Sequence, residues 1–143
     1  MKSLPLIILA FFVIAFTGCV NQESPLDVVE DNATLVRALQ SVGADVVLTN
    51  EAVSHSYMPI AGRKMLINKQ TTEMYQFRSY EEAVGWAKKF TPDARVVNLK
   101  NVTWTATPHV FRRDKLIVIY EGDDVTVTGN LTRVMNPQFA GQP

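Results

Sequence analysis

The chain has 143 residues, of which 47% are hydrophobic and 20% charged, with 14 basic residues against 14 acidic ones. That length and composition fit one globular domain and exclude wholesale disorder, and a balanced charge without a basic run speaks against nucleic-acid binding. A single cysteine forms neither an internal disulfide nor a multi-cysteine zinc site.

The chain opens with Met1-Lys2-Ser3, a short positive start, and an apolar run over 4–16 that only Pro5 interrupts. Thr17, Gly18 and Cys19 follow. A charged start, a short apolar stretch and small residues before a processing point are the physical parts of a secretory signal. The run is short of the about 20 apolar residues that span a bilayer. Phe16-Thr17-Gly18-Cys19 resembles the lipobox of bacterial and archaeal lipoproteins, departing from it at Phe16, where leucine is usual. That resemblance implies a signal peptide over 1–18 and a diacylglyceryl group on Cys19. The domain would then face the periplasm or exterior from the cell membrane or outer membrane. An ordinary secretory signal or an uncleaved anchor, with Cys19 incidental, is the alternative. Residues 19–30 read as a lipid-anchored polar tether, and 31–143 as one domain.

Asp31 and Asn32 are N-cap types ahead of a helix over 34–42, whose apolar residues Leu35, Ala38, Leu39 and Val42 share one face, and Gly43 suits its end. A β-branched strand over 45–48 and a Pro- and Gly-interrupted loop over 52–62 come next. Strands over 64–68 and 72–77 flank a connection at 69–71. Ser79 caps a helix over 80–90, with Glu82 at the capping-box position. Strands follow over 95–99, 102–106, 109–111 and 116–120, the last two flanking the turn Arg112-Arg113-Asp114-Lys115. The run 116–120 is apolar throughout, as a central strand covered on both faces should be. Asp123-Asp124 caps a final helix through Met135 despite the β-prone Val125-Thr126-Val127-Thr128, and Phe139 folds back onto the core. This order predicts an α+β fold, an antiparallel sheet of about six strands with two or three helices on one face. Ala44 and Ala94 each open a Val-Val strand after a helix, compatible with two tandem helix-plus-three-strand halves or with chance order.

Residues with chemistry are sparse. His55 and His109 lie in separate segments without the spacing of a metal motif, so no metal or cofactor is expected. His109, at a strand start, is either a structural hydrogen-bonder or, with a nearby acid, the centre of a metal-dependent hydrolase. Ser54-His55-Ser56 makes a poor triad, because adjacent residues on an extended chain point opposite ways. Glu81-Glu82 and Asp123-Asp124 read as helix caps. The cluster at 112–115 is a solvated turn or a contact for anionic lipid, and Tyr57, Trp104 and Tyr120 are core or a ligand platform. Tyr57, Trp104, His109, Arg112 and Arg113 therefore form the expected ligand or partner surface. Asn32, Asn101 and Asn130 head glycosylation sequons.

Trp104 with Pro108-His109-Val110-Phe111, the strand over 116–122, and Pro137-Gln138-Phe139-Ala140-Gly141 resemble small prokaryotic envelope lipoproteins with no assigned activity. The likeness covers about the last third of the chain and bears on location alone. The expected function is a lipid-anchored exported envelope protein, not an enzyme. It would bind an envelope protein or a small ligand at its sheet face or at the 57–60 loop. A periplasmic inhibitor or chaperone-like protein, or a hydrolase using His109, are the alternatives.

Overall fold

The computed structural model describes Ser24 and residues 26–142; the expected signal and Cys19 lie outside the described residues. The fold is α+β. Eleven elements follow in order: α1 (Asn32–Ser41), β1 (Val46–Val53), β2 (Gly62–Ile67), β3 (Gln70–Gln76), α2 (Tyr80–Ala87), β4 (Val96–Val97), β5 (Lys100–Asn101), β6 (Pro108–Arg113), β7 (Leu116–Glu121), α3 (Val125–Met135) and β8 (Ala140–Gly141). Six strands form one sheet in the order β1-β2-β3-β7-β6-β8, antiparallel throughout, and β4-β5 form a separate hairpin.

Strand alternation divides the sheet into two faces. Met74, Leu116, Val118, Tyr120 and Phe111 point to one side, where Leu35 and Leu39 of α1 and Val127, Leu131 and Val134 of α3 cover them. Tyr75, Phe77, Ile117, Ile119 and Val110 point to the other, beneath Ala83 of α2, the β4–β5 hairpin and Tyr57. Two helices thus share a face, and the third lies on the opposite one. β7 sits inside the sheet with both faces covered, and its residues Leu116–Tyr120 are all buried.

Local chemistry sets the helix ends. The Asp31 carboxylate accepts from Thr34 N–H at 2.8 Å, while the Thr34 hydroxyl accepts from Asp31 N–H at 2.9 Å. The bond from the Thr34 N–H, and then the one its hydroxyl donates to Asp31 Oδ1 at 2.9 Å, hold the Asp31 carboxyl below its usual range. Ser79 accepts from Glu82 N–H at 3.2 Å, and Asp124 from Thr126 N–H at 2.8 Å. In α3 the Asp124 cap and the buried stripe Val127, Leu131, Val134 and Met135 outweigh the β preference of its first turn.

Several boundaries differ from the expected ones. The turns at Asn68-Lys69 (φ +50° and +67°) and Asn98-Leu99 (φ +49° and +64°) are two-residue turns with both residues left-handed. The first moves the hairpin turn from 69–71 to 68–69. The second turns 96–101 into a hairpin, so no strand covers 102–106. The tandem-halves arrangement fails for the same reason: β4 pairs with β5, and the edge beside β6 goes to β8.

The folded body also begins earlier than Asp31. Val29 is 2% exposed and packs under α1 and α3, within the segment expected to be tether. Arg113 fastens it, donating from Nη1 to the Val134 carbonyl and from Nη2 to the Leu26 carbonyl, both at 2.6 Å. Arg113 is therefore an internal clamp, its guanidinium engaged by two backbone carbonyls. Two charge-assisted bonds to otherwise unpaired carbonyls make Arg113→Ala expected to lower the unfolding free energy by about 2–3 kcal/mol. A loss under about 0.5 kcal/mol in urea unfolding, the scale of an ordinary surface change, would show the clamp to be idle.

Candidate functional site

β3 and β7 are neighbours with Glu73 opposite Ile119. Glu121, two residues beyond Ile119, projects on the same face, which sets the two glutamates on a diagonal with β-carbons about 7–8 Å apart. This is the face covered by α2. The loop 54–61 packs on this side and is tied to β5 where Lys100 Nζ donates to the Ser56 carbonyl, while Thr105 of the loop 102–107 bonds to Glu121. On this face lies a cleft of about 180 Å³ lined by Thr71, Glu73, Thr105, Ile119 and Glu121.

Each carboxylate is held by neutral or titratable donors. Glu73 accepts from the Tyr75 hydroxyl at 2.7 Å, and His55 Nε2 stands 3.0 Å from both its oxygens, an ion pair only when the imidazole is protonated. Glu121 Oε2 accepts from both the N–H and the hydroxyl of Thr105 at 2.8 Å. Lys64, the cross-strand neighbour of Glu73, turns instead to Glu51 at 2.8 Å. Among the described residues, neither Glu73 nor Glu121 has a lysine or arginine partner.

Aromatic rings complete the wall. Tyr75 is fully buried and lies against Gly62, where a β-carbon would stand 2.6 Å from its ring. Tyr57 is 9% exposed, stacked on His55 with centroids 4.8 Å apart and meeting Trp104 edge-on at 5.8 Å. Burial first, then the Glu73 and Glu121 charges, push the Tyr57 phenol up; burial and the Glu73 hydrogen bond do the same to Tyr75. Both phenols therefore stay protonated donors at neutral pH. Tyr75 gives its proton to Glu73, while the Tyr57 hydroxyl makes no hydrogen bond among the described residues.

Of the expected surface residues, Tyr57 stands behind this cleft, stacked on His55, and Trp104 packs against Tyr57 with Nε1 donating to the Ala94 carbonyl at 2.9 Å. The others are elsewhere. His109 is 6% exposed and points to the α3 side, with Nδ1 2.7 Å from Gln138 Oε1 and Nε2 3.0 Å from the Gly122 carbonyl. Gln138 Nε2 donates to the Gln142 carbonyl at 2.9 Å, which fixes the amide oxygen toward the ring. Set between the Gln138 amide and the Gly122 carbonyl, His109 is a structural pin between β6 and the C-terminal segment. Arg112 lies half-buried with its guanidinium carbon 5.3 Å from the Tyr80 ring centroid. Asn101 is the exposed sequon asparagine; Asn32 and Asn130 are half-buried.

Sequence reasoning missed His55, Glu73, Tyr75, Thr105 and Glu121. Glu73 carried a faint signal, since it shares a strand face with Tyr75 and Phe77, where a lone carboxylate stands out. Glu121 carried none. Among the described residues no three histidine, cysteine, aspartate or glutamate side chains converge closely enough to hold a metal ion. A recess of about 500 Å³ beside Trp104 is open, and its Asp93 and Arg95 approach each other at 3.8 Å.

The sequence matches no protein-family model, and no curated protein or solved structure is detectably similar to it.

Proposed function

We propose that the chain is an exported envelope lipoprotein anchored through Cys19, and that its α+β domain is a binding module which takes a small organic cation between Glu73 and Glu121. The observation that carries the ligand reading is the pair of glutamates in a narrow cleft where, among the described residues, His55 stands against Glu73 and neither acid meets a lysine or arginine. Two partly buried carboxylates that share a recess repel one another, and a cation entering between them relieves that repulsion. Thr71 adds a neutral contact beside it. A primary ammonium, with three donors on one point charge, suits this arrangement.

The two parts are tested separately. Cys19→Ser is expected to move the mature protein from the membrane fraction to the soluble one; unchanged lipid labelling of that variant would refute the anchor. Titrating the protein with methylammonium at constant ionic strength is expected to give saturable changes in tyrosine fluorescence. For two heavy atoms the dissociation constant falls in the millimolar range at best. Absence of saturation with methylammonium, alongside saturation with calcium, would replace the ammonium reading with a metal one. Absence of saturation with either would remove the cleft as a cation site.

A further inference from the structure

The β4–β5 hairpin ends in a side chain that the fold does not use. Leu99 is 96% exposed and sits in the left-handed region at φ +64°. It is the second residue of a two-residue turn, a place that ordinarily falls to glycine. A leucine there strains the backbone and bares a large apolar group, and no packing inside the domain compensates for either. Cations surround it. Lys100 follows directly in the chain, and Lys88 and Lys89 line the same surface recess, of about 320 Å³, as Leu99. Lys89 lies 4.0 Å from the Trp86 ring centroid, and among the described residues none of these lysines pairs with a carboxylate.

We infer that this tip is a second membrane contact, with Leu99 entering the boundary between headgroups and acyl chains of an anionic bilayer while Lys88 and Lys89 meet lipid phosphates; Lys100 is held by the Ser56 carbonyl. An apolar wedge ringed by cations matches that boundary in both hydrophobicity and charge. A second copy of the chain is a poorer occupant, because a symmetric contact would set the same lysines against each other. The choice of a bilayer rests on the anchoring reading. Seven residue steps separate Cys19 from Leu26, a reach of at most about 25 Å, so an anchored domain stays beside the surface.

The test uses the mature chain with Cys19→Ser, so that its outcome does not depend on acylation, which the fractionation experiment above decides independently. Cosedimentation is measured with vesicles of phosphatidylglycerol and phosphatidylcholine, and with phosphatidylcholine alone. Binding to the anionic vesicles is expected, weakened by added salt and by Lys88→Gln with Lys89→Gln. Leu99→Gly is expected to weaken it by at least about tenfold, the effect of losing one buried leucine side chain. The same variant should melt no lower than the parent, because glycine suits the turn. Leu99→Asn, also tolerated in the left-handed region, repeats the loss of binding if the glycine hairpin frays. Equal binding by both Leu99 variants, equal binding to the uncharged vesicles, or no vesicle binding would overturn the inference. Saturable capture of an acidic protein by the tip, without vesicle binding, would reassign the surface to a protein partner.

Discussion

Tyr75→Ala is expected to lower the unfolding free energy by about 3–5 kcal/mol, a large share of the about 5–15 kcal/mol that holds an ordinary domain folded. Tyr75 is wholly buried on β3, between the sheet and the layer formed by α2, the β4–β5 hairpin and Tyr57. Its ring fills the space that Gly62 leaves by having no side chain. Truncation empties that space and leaves Glu73 without its hydroxyl donor. Tyr75→Phe separates the two effects, since the ring stays and only the 2.7 Å hydrogen bond to Glu73 is lost. A cost of about 1–2 kcal/mol is expected for that variant. Urea unfolding followed by tryptophan fluorescence reads both. Equal losses for the two variants would place the whole contribution in the hydroxyl and contradict the packing argument.

Much of this fold was legible because several signals agreed at the same positions. Asp31, Ser79 and Asp124 stand as caps before amphipathic stretches, and all three begin helices. The apolar run Leu116–Tyr120 announces a strand covered on both sides, and β7 is one. What stayed hidden depends on contacts that are distant in sequence or on turns without their usual residues. Asn98-Leu99 and Asn68-Lys69 lack the glycine that marks a tight hairpin, so their neighbours read as longer strands and displaced turns. The run 102–106 has strand composition, yet Thr105 spends its N–H and hydroxyl on Glu121 and not on a ladder. β8 is two residues long, and nothing local distinguishes it from a tail.

The site was less legible than the fold for a related reason. Aromatic and basic residues draw the eye as ligand contacts, and here Arg113 and His109 serve the architecture instead. Arg113 ties the segment before α1 to the end of α3, and His109 ties β6 to the C-terminal segment. The cleft is made by acids that look like ordinary strand residues until β3 and β7 pair. Thr105, which completes its lining, comes from the segment after the β4–β5 hairpin that the sequence did not disclose.

The charge of that cleft yields the second large effect. Glu73→Gln keeps an oxygen for the Tyr75 hydroxyl and an amide group for His55, while Glu121→Gln keeps an acceptor for Thr105. Each exchange therefore removes charge and little else. Either variant is expected to weaken methylammonium binding by about tenfold, near 1.4 kcal/mol, and the double variant to abolish it. Stability should respond in the opposite sense. Without ligand the two carboxylates repel across the cleft, so the double variant is expected to unfold at the same or a higher urea concentration than the parent. With ligand present only the parent gains, by about 2.7 kcal/mol at a hundred times its dissociation constant. That pairing of lost affinity with undiminished stability is what a site built for a guest produces, whereas acids that merely support the fold lose stability when neutralised. A double variant that still binds methylammonium as the parent does would place the cation elsewhere. One that unfolds much earlier would show Glu73 and Glu121 to be structural.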